Sequence, residues 1–228
     1  MVFHALYTYE LPMLEYKGLG EGKTFNVSQK HIGSRWILVE ECINSYNFEC
    51  CVGIIYGHNN RAERYELFEE IKHRVMTINK PLLLMGNFNV IFHTRERIGS
   101  FRCDRSMTEF SKWIIDLGLI DIPLHGVKFT WRRNASKSRI DKGLCCNEWL
   151  RKFPNLALLG LSRSSSDHNP LLLTMEDRKN WEQVENPEGP PQNMKKENFD
   201  LMDNKITELE SVVHGLKRTS DVRDLNDM

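Results

Sequence analysis

The run Leu82-Leu83-Leu84-Met85, closed by Gly86, constrains the fold more than any other stretch of the chain. Four consecutive large apolar side chains do not suit a strand with one wet face, which would alternate. They suit a short strand buried on both faces, with cover from another layer on each side. The strand then emerges into the polar sequence Asn87-Phe88-Asn89. In layered α/β proteins ligands commonly bind at such strand ends.

Residues 61 to 79 place Tyr65, Leu67, Phe68, Ile71, Val75 and Ile78 at three- and four-residue spacings among charges, which predicts an amphipathic helix stopped by Pro81. A second helix is expected over 106 to 117, with Phe110, Trp113, Ile114 and Leu117 on one side and Gly118 ending it. Residues 36 to 41 and 48 to 56 read as a hairpin across the polar turn Asn44-Ser45-Tyr46-Asn47. Further strands are expected at 119 to 122, 129 to 132, 140 to 146 and 171 to 175, with helical or loop material over 149 to 153. Strands and helices alternate, so the class is α/β or α+β.

The periodic pattern divides the chain. Residues 1 to 30 carry Gly18, Gly20 and Gly22 without a sustained period and form a divergent N-terminal segment, with a strand and loops the most that can be assigned. Gly20-Glu21-Gly22-Lys23-Thr24 lacks the first glycine of a phosphate-binding loop and follows no apolar strand. Residues 31 to 175 form the main domain. Residues 176 to 197, with Pro190-Pro191 amid Glu, Asn and Lys, have linker composition. An amphipathic helix is expected over 198 to 217 and a disordered tail over 218 to 228.

Of 228 residues, 40% are hydrophobic, enough for a core; Lys plus Arg and Asp plus Glu each total 31, so any polyanion binding must come from a local patch. The six cysteines (Cys42, Cys50, Cys51, Cys103, Cys145, Cys146) show no zinc-ligand spacing and read as reduced thiols. No long apolar run or secretory leader pattern occurs, so the expectation is an intracellular protein, nuclear or cytoplasmic and not secreted, with no membrane partner.

Two clusters could carry chemistry. Asn87 and Asn89 place two amides at a strand end, although asparagine is equally at home in an ordinary turn. Asp167 and His168 precede the apolar 171 to 175 strand: a carboxylate that could ligate a hard cation and an imidazole that could move a proton or stabilise phosphoryl charge, or else a turn cap and a surface histidine. Asp141 could fix an imidazole tautomer, or it could form a surface pair with Arg139. The sequence leaves these alternatives open.

The order of the pieces resembles a known family. Val52-Gly53-Ile54-Ile55-Tyr56-Gly57-His58-Asn59, Leu84-Met85-Gly86-Asn87-Phe88-Asn89, Phe129-Thr130-Trp131, Ser138-Arg139-Ile140-Asp141 and Ser166-Asp167-His168-Asn169-Pro170 occur in the order found in the endonuclease/exonuclease/phosphatase superfamily. The closest resemblance is to the endonuclease domain of plant LINE-type (non-LTR) retrotransposons, over about residues 27 to 175. The resemblance implies a four-layered sandwich of two β-sheets flanked by helices, Mg2+-dependent phosphodiester hydrolysis, DNA as partner and no small-molecule cofactor. By motif, Tyr56 would line the phosphate pocket, Asn89 would hold the scissile phosphate or attacking water, and Asp167 would serve the metal. His168 would stabilise the transition state, oriented by Asp141. Arg132, Arg133, Lys137 and Arg139 are the candidate nucleic-acid contacts.

Two departures from the family pattern bear on activity. Asn87 stands where the family has an aspartate that activates the nucleophilic water, and loss of a positioned base costs about 10²- to 10⁴-fold in rate. Residues 1 to 35 contain no counterpart of the family's first Asn-bearing strand or of its Gln-Glu-Thr-like motif, whose glutamate binds magnesium. The expectation is a degenerate, catalytically impaired domain, incomplete at its N-terminus, with weak magnesium and DNA binding. Glu40, Glu41 or Asp104 would have to supply a substitute carboxylate in any active version.

Overall fold

The computed structural model describes residues 25–99, 104–163 and 166–175, with only the backbone of Phe25 and Asn26. Cys103, the glycines of 18 to 22, and the expected linker, C-terminal helix and tail lie outside the described residues. The elements in order are β1 (Phe25–Ile32), β2 (Trp36–Ile43), β3 (Phe48–Tyr56), α1 (Arg61–Val75), β4 (Leu82–Asn87), β5 (Arg97–Ile98), α2 (Arg105–Asp116), β6 (Ile120–Asp121), β7 (Leu124–His125), β8 (Trp131–Arg133), β9 (Ser136–Ser138), β10 (Asp141–Cys145), α3 (Asn147–Lys152), β11 (Ala157–Gly160) and β12 (Leu171–Thr174). The class is α+β.

The largest sheet has the order β1-β2-β3-β4-β10-β6, with β4 near its centre. That position explains the unbroken apolar run, because successive side chains point to opposite faces and both faces are covered. On one side Leu82 and Leu84 join Leu38, Ile55 and Leu144 against Leu67, Phe68 and Ile71 of α1 and Phe110, Trp113 and Ile114 of α2. On the other side Leu83 and Met85 pack with Val52 and Cys145 against Trp149, Leu158, Leu171 and Leu173. The second β layer is the three-stranded sheet β12-β11-β7, and a further small sheet has the order β5-β9-β8.

The hairpin of β2 and β3 forms as its turn predicts, with Asn47 in the left-handed region at φ 45°. In α1 the buried face differs from the expected one. Leu67, Phe68 and Ile71 are buried, but Tyr65 is exposed and Arg64 takes the place on the inner stripe. The 64, 67, 68, 71 spacing is itself helical, and the Arg64 guanidinium is accommodated because it donates to the carbonyls of His58 (2.7 Å) and Asn59 (3.0 Å) and to Ser106 Oγ (2.9 Å). Asn60 caps the helix, its Oδ1 accepting from Ala62 N at 2.8 Å. The helix ends at Val75 rather than at 79. Its continuation tightens into successive three-residue bonds, Thr77 N to Arg74 O and Ile78 N to Val75 O.

Cys42, Cys50, Cys51, Cys145 and Cys146 are free thiols. Burial raises the pKa of Cys51 and Cys145 to about 12 each, so both are protonated, inert core residues.

Candidate active site

The ladder of the large sheet puts Tyr56, Asn87 and Asp141 in one row: Asn87 is paired with Tyr56 on β3 and with Asp141 on β10. Directly opposite residues in a sheet share a face, so the three enter the site together. Gly86 allows this row to end the strand. It has φ 135°, and a Cβ there would lie 2.1 Å from Ile55 O. Gly57, just past Tyr56, is as confined, since its Cβ would lie 2.4 Å from Phe88 O.

The turn after β4 is held by a small circuit. Gly57 N donates to Asn87 O at 2.6 Å, Asn89 N donates to Asn87 Oδ1 at 2.7 Å, and Asn89 Nδ2 donates to Gly57 O at 2.6 Å. Asn89 adopts φ 51°, a conformation that asparagine tolerates better than most residues. Both asparagines are therefore turn-formers, and both also line the same strand end as Asp141. Arg35 O accepts from Tyr56 N at 2.8 Å, and the Arg35 guanidinium lies 5.1 Å from the centre of the Tyr56 ring.

His168 reaches this row through Asp141. Its Nδ1 donates to the fully buried Asp141 carboxylate at 2.9 and 3.1 Å, while its Nε2 lies 3.9 Å from Asp167 Oδ1. Burial pulls the His168 pKa down, but the hydrogen bond to Asp141 and the charges of Asp141 and Asp167 outweigh it and hold the imidazole above its ordinary value. Asp141 is itself fixed through its backbone, with Thr130 Oγ1 accepting from Asp141 N at 3.0 Å and from Ile140 N at 3.2 Å.

The segment carrying Asp167 and His168 is stitched to β8. Trp131 and His168 form an antiparallel bridge, Arg132 N donates to Asp167 O at 3.0 Å, and Asn169 N donates to Thr130 O at 2.7 Å. The Trp131 indole N–H donates to Asp167 Oδ2 at 2.8 Å.

The fold has counterparts among solved structures. The endonuclease domain of TRAS1, a telomere-specific non-LTR retrotransposon, superposes with a TM-score of 0.51 at 16% identity, over 65% of this chain and 66% of that one. The 3'-5' exonuclease NExo of Neisseria meningitidis gives 0.51 at 17%, over 65% and 71%. The NExo 3' phosphatase bound to a product DNA hairpin gives 0.50 at 17%, over 67% and 72%. The fold is that of the endonuclease/exonuclease/phosphatase family. No family model matches the sequence, and no curated protein matches it. The aligned part takes in just under two thirds of the TRAS1 domain's length.

Against the donor set of an endonuclease/exonuclease/phosphatase site, the described residues do not fit a magnesium ion by themselves. Magnesium needs one or two carboxylates besides water and phosphate. Asp141 is engaged with His168, Asp167 has one oxygen on Trp131, and Asn87 is neutral. No cluster of three or more His, Cys, Asp or Glu placed to hold a metal occurs among the described residues. Glu40 is paired with His31 (2.8 Å) and Lys80 (3.4 Å), Asp104 caps α2 through Met107 N (2.9 Å), and Glu41 is buried on β2.

Arg139 is not a surface cation, nor does it pair with Asp141. Its guanidinium forks onto Asp121 at 2.6 and 2.8 Å, reaches Glu96 at 2.7 Å and donates to Ile122 O at 3.2 Å. Charges this far from water are held only when paired, which removes Arg139 from any phosphate contact. Lys142, fully buried, donates to both Glu96 oxygens at 2.9 and 2.8 Å. Burial raises the Glu96 pKa, but Lys142, the Phe92 amide and Arg139 outweigh it and bring the carboxyl below its ordinary value. Burial also lowers the Lys142 pKa, against the pull of Asp121 and Glu96. Three separate donors, Lys142, Arg139 and the Phe92 amide, favour the ionised carboxylate.

The other three candidate contacts lie on β8 and β9. Arg132 is paired across the ladder with Lys137, and Arg133 is exposed. Glu96, Thr130 and Trp131 are the supporting residues that motif reading left without a role. Lys142 was the available signal: a lysine inside an otherwise buried strand implies a buried partner.

Proposed function

We infer that the chain is a phosphodiester-recognising domain related to retrotransposon endonucleases, with its hydrolytic step impaired at Asn87. The observation that carries this reading is the place of that residue. Its side chain is buried in the row with Tyr56 and Asp141, and its Oδ1 accepts from Asn89 N. A neutral amide there cannot take the proton of an attacking water. The imidazole of His168, held by Asp141, is suited to meet phosphoryl charge, and Asn89 supplies a polar group just past the end of β4. DNA is the substrate class supported by the fold relatives, magnesium the metal supported by the sequence resemblance.

Plasmid nicking with magnesium tests this. The wild-type chain is expected to nick no faster than His168→Ala; a gain in Asn87→Asp would mean that the rest of the site is intact, and no gain would implicate the magnesium-binding glutamate that has no counterpart in residues 1 to 35. Wild-type nicking that His168→Ala abolishes would overturn the reading.

A second reading, binding without hydrolysis, is favoured by one further observation. The β5-β9-β8 sheet carries four cations in a chain of zero net charge, Arg97 and Arg133 on one face and Arg132 paired with Lys137 on the other. Cations so placed suit contacts with a phosphate backbone, whose binding would show a steep salt dependence. An absence of DNA or RNA binding at low salt would remove this reading.

A further inference from the structure

The β4 to β10 ladder fixes Asn87, and one more rung follows, Phe88 N to Ile140 O at 2.9 Å. Beyond it the chain leaves the large sheet with Asn89 and is next held in a ladder at β5. Glu96 catches this excursion from its far end. Its Oε2 accepts from Phe92 N at 2.7 Å and, more weakly, from His93 N at 3.4 Å. The same carboxylate takes Lys142 through both oxygens and Arg139 through Oε1, and the Glu96 carbonyl accepts from Arg139 N at 2.8 Å. Arg139 and Lys142 stand two residues before Asp141 and one after it. One side chain thus ties the loop of Asn89 to the strand of Asp141 on both sides of that residue.

The network is a poor source of net stability, because apolar residues of the same volume often serve as well in place of a buried ion pair. It supplies instead a single geometry, since each hydrogen-bonding group has one place to go. We propose that Glu96 is a positioning residue that sets where Asn89 stands relative to Asp141. Its functional sense rests on the reading of those two residues as phosphate-site groups; its structural content does not.

The test uses the full chain carrying Glu96→Met and Lys142→Met together, which removes both buried charges of the pair and keeps the volume. The double variant is expected to melt cooperatively. Amide exchange at Phe92 and His93 should nevertheless speed up by about tenfold or more, as local opening predicts. The Asn89 side-chain NH2 resonances should move, and Asp116 and Ile71, in the helices, should keep their exchange rates. A cooperatively folded double variant with unchanged Asn89 resonances and unchanged exchange at Phe92 and His93 would overturn the proposal. If the double variant fails to fold, Glu96→Asp carries the same comparison, since it keeps the charge and shortens the reach to the Phe92 amide. These readouts need neither nicking nor nucleic-acid binding, so their failure is separate from failure of the proposed function.

Discussion

Asn87 and His168 both bear on Asp141, one as its ladder partner and the other through its carboxylate, but their surroundings are built differently. Around Asn87 the backbone does the holding: the ladder, the Gly57 amide and the Asn89 amide. Around His168 backbone bonds to β8 hold the segment, but side chains hold the imidazole and its neighbour: the Asp141 carboxylate, with Thr130 behind it, and Trp131 on Asp167. The Oδ1 of an amide and that of a carboxylate can both accept the hydrogen bond from Asn89 N. The turn can therefore form whether or not position 87 carries a base. The imidazole arrangement, in contrast, depends on the charge of its partner. Chemistry can be lost at the first place without loss of geometry; at the second the two go together.

The largest effect that would break this contrast is expected at the backbone-built end. Gly86→Ala puts a Cβ against Ile55 O in a strained φ and should cost about 3 kcal/mol in urea unfolding. A loss under roughly 0.5 kcal/mol, the ordinary range of surface substitutions, would mean the backbone there gives way easily.

At the side-chain-built end, Asp141→Asn should cost about 2 kcal/mol, the worth of a hydrogen bond to a charged group. The folded-state pKa of His168 is raised. Its ionic contribution is therefore fully present below the unfolded histidine pKa of about 6.5 and lost as pH rises through the folded value. The stability gap between wild type and Asp141→Asn, measured by denaturation across pH, should accordingly narrow toward alkaline pH. A gap independent of pH would show that the imidazolium contributes nothing to it.

The smallest effect belongs to the exposed basic sheet, outside both constructions. Arg133→Ala should change stability by less than about 0.5 kcal/mol. It should also lower the slope of log affinity for a DNA duplex against log salt by about one. An unchanged slope would take Arg133 out of the contact surface.

Long periodic elements were legible from residues alone. The hairpin of β2 and β3, the helices α1 and α2, and β4 with its double burial follow from patterns of eight to fifteen residues or from an unbroken apolar run. The strands β5, β6 and β7, of two residues each, carry no period, and of these only β6 fell within an expected strand. The spacing of apolar residues also put Tyr65 on the inner face of α1, where Arg64 sits instead, its guanidinium donating to the carbonyls of His58 and Asn59 and to the Ser106 hydroxyl.

The sequence by itself determined the order of the pieces: which strand is buried on both faces, which residues could act as acid, base or ligand, and that position 87 holds an amide. Only the tertiary structure decided who faces whom. It aligned Tyr56, Asn87 and Asp141 in one row, gave Asp141 to His168 and not to Arg139, and put Arg139 with Glu96 and Asp121. The physical reason is range. Periodicity and turn chemistry act over a few residues, whereas His168 meets Asp141 across 27 positions and Lys142 meets Glu96 across 46. Such pairings are fixed by strand register and by the need to match every buried charge.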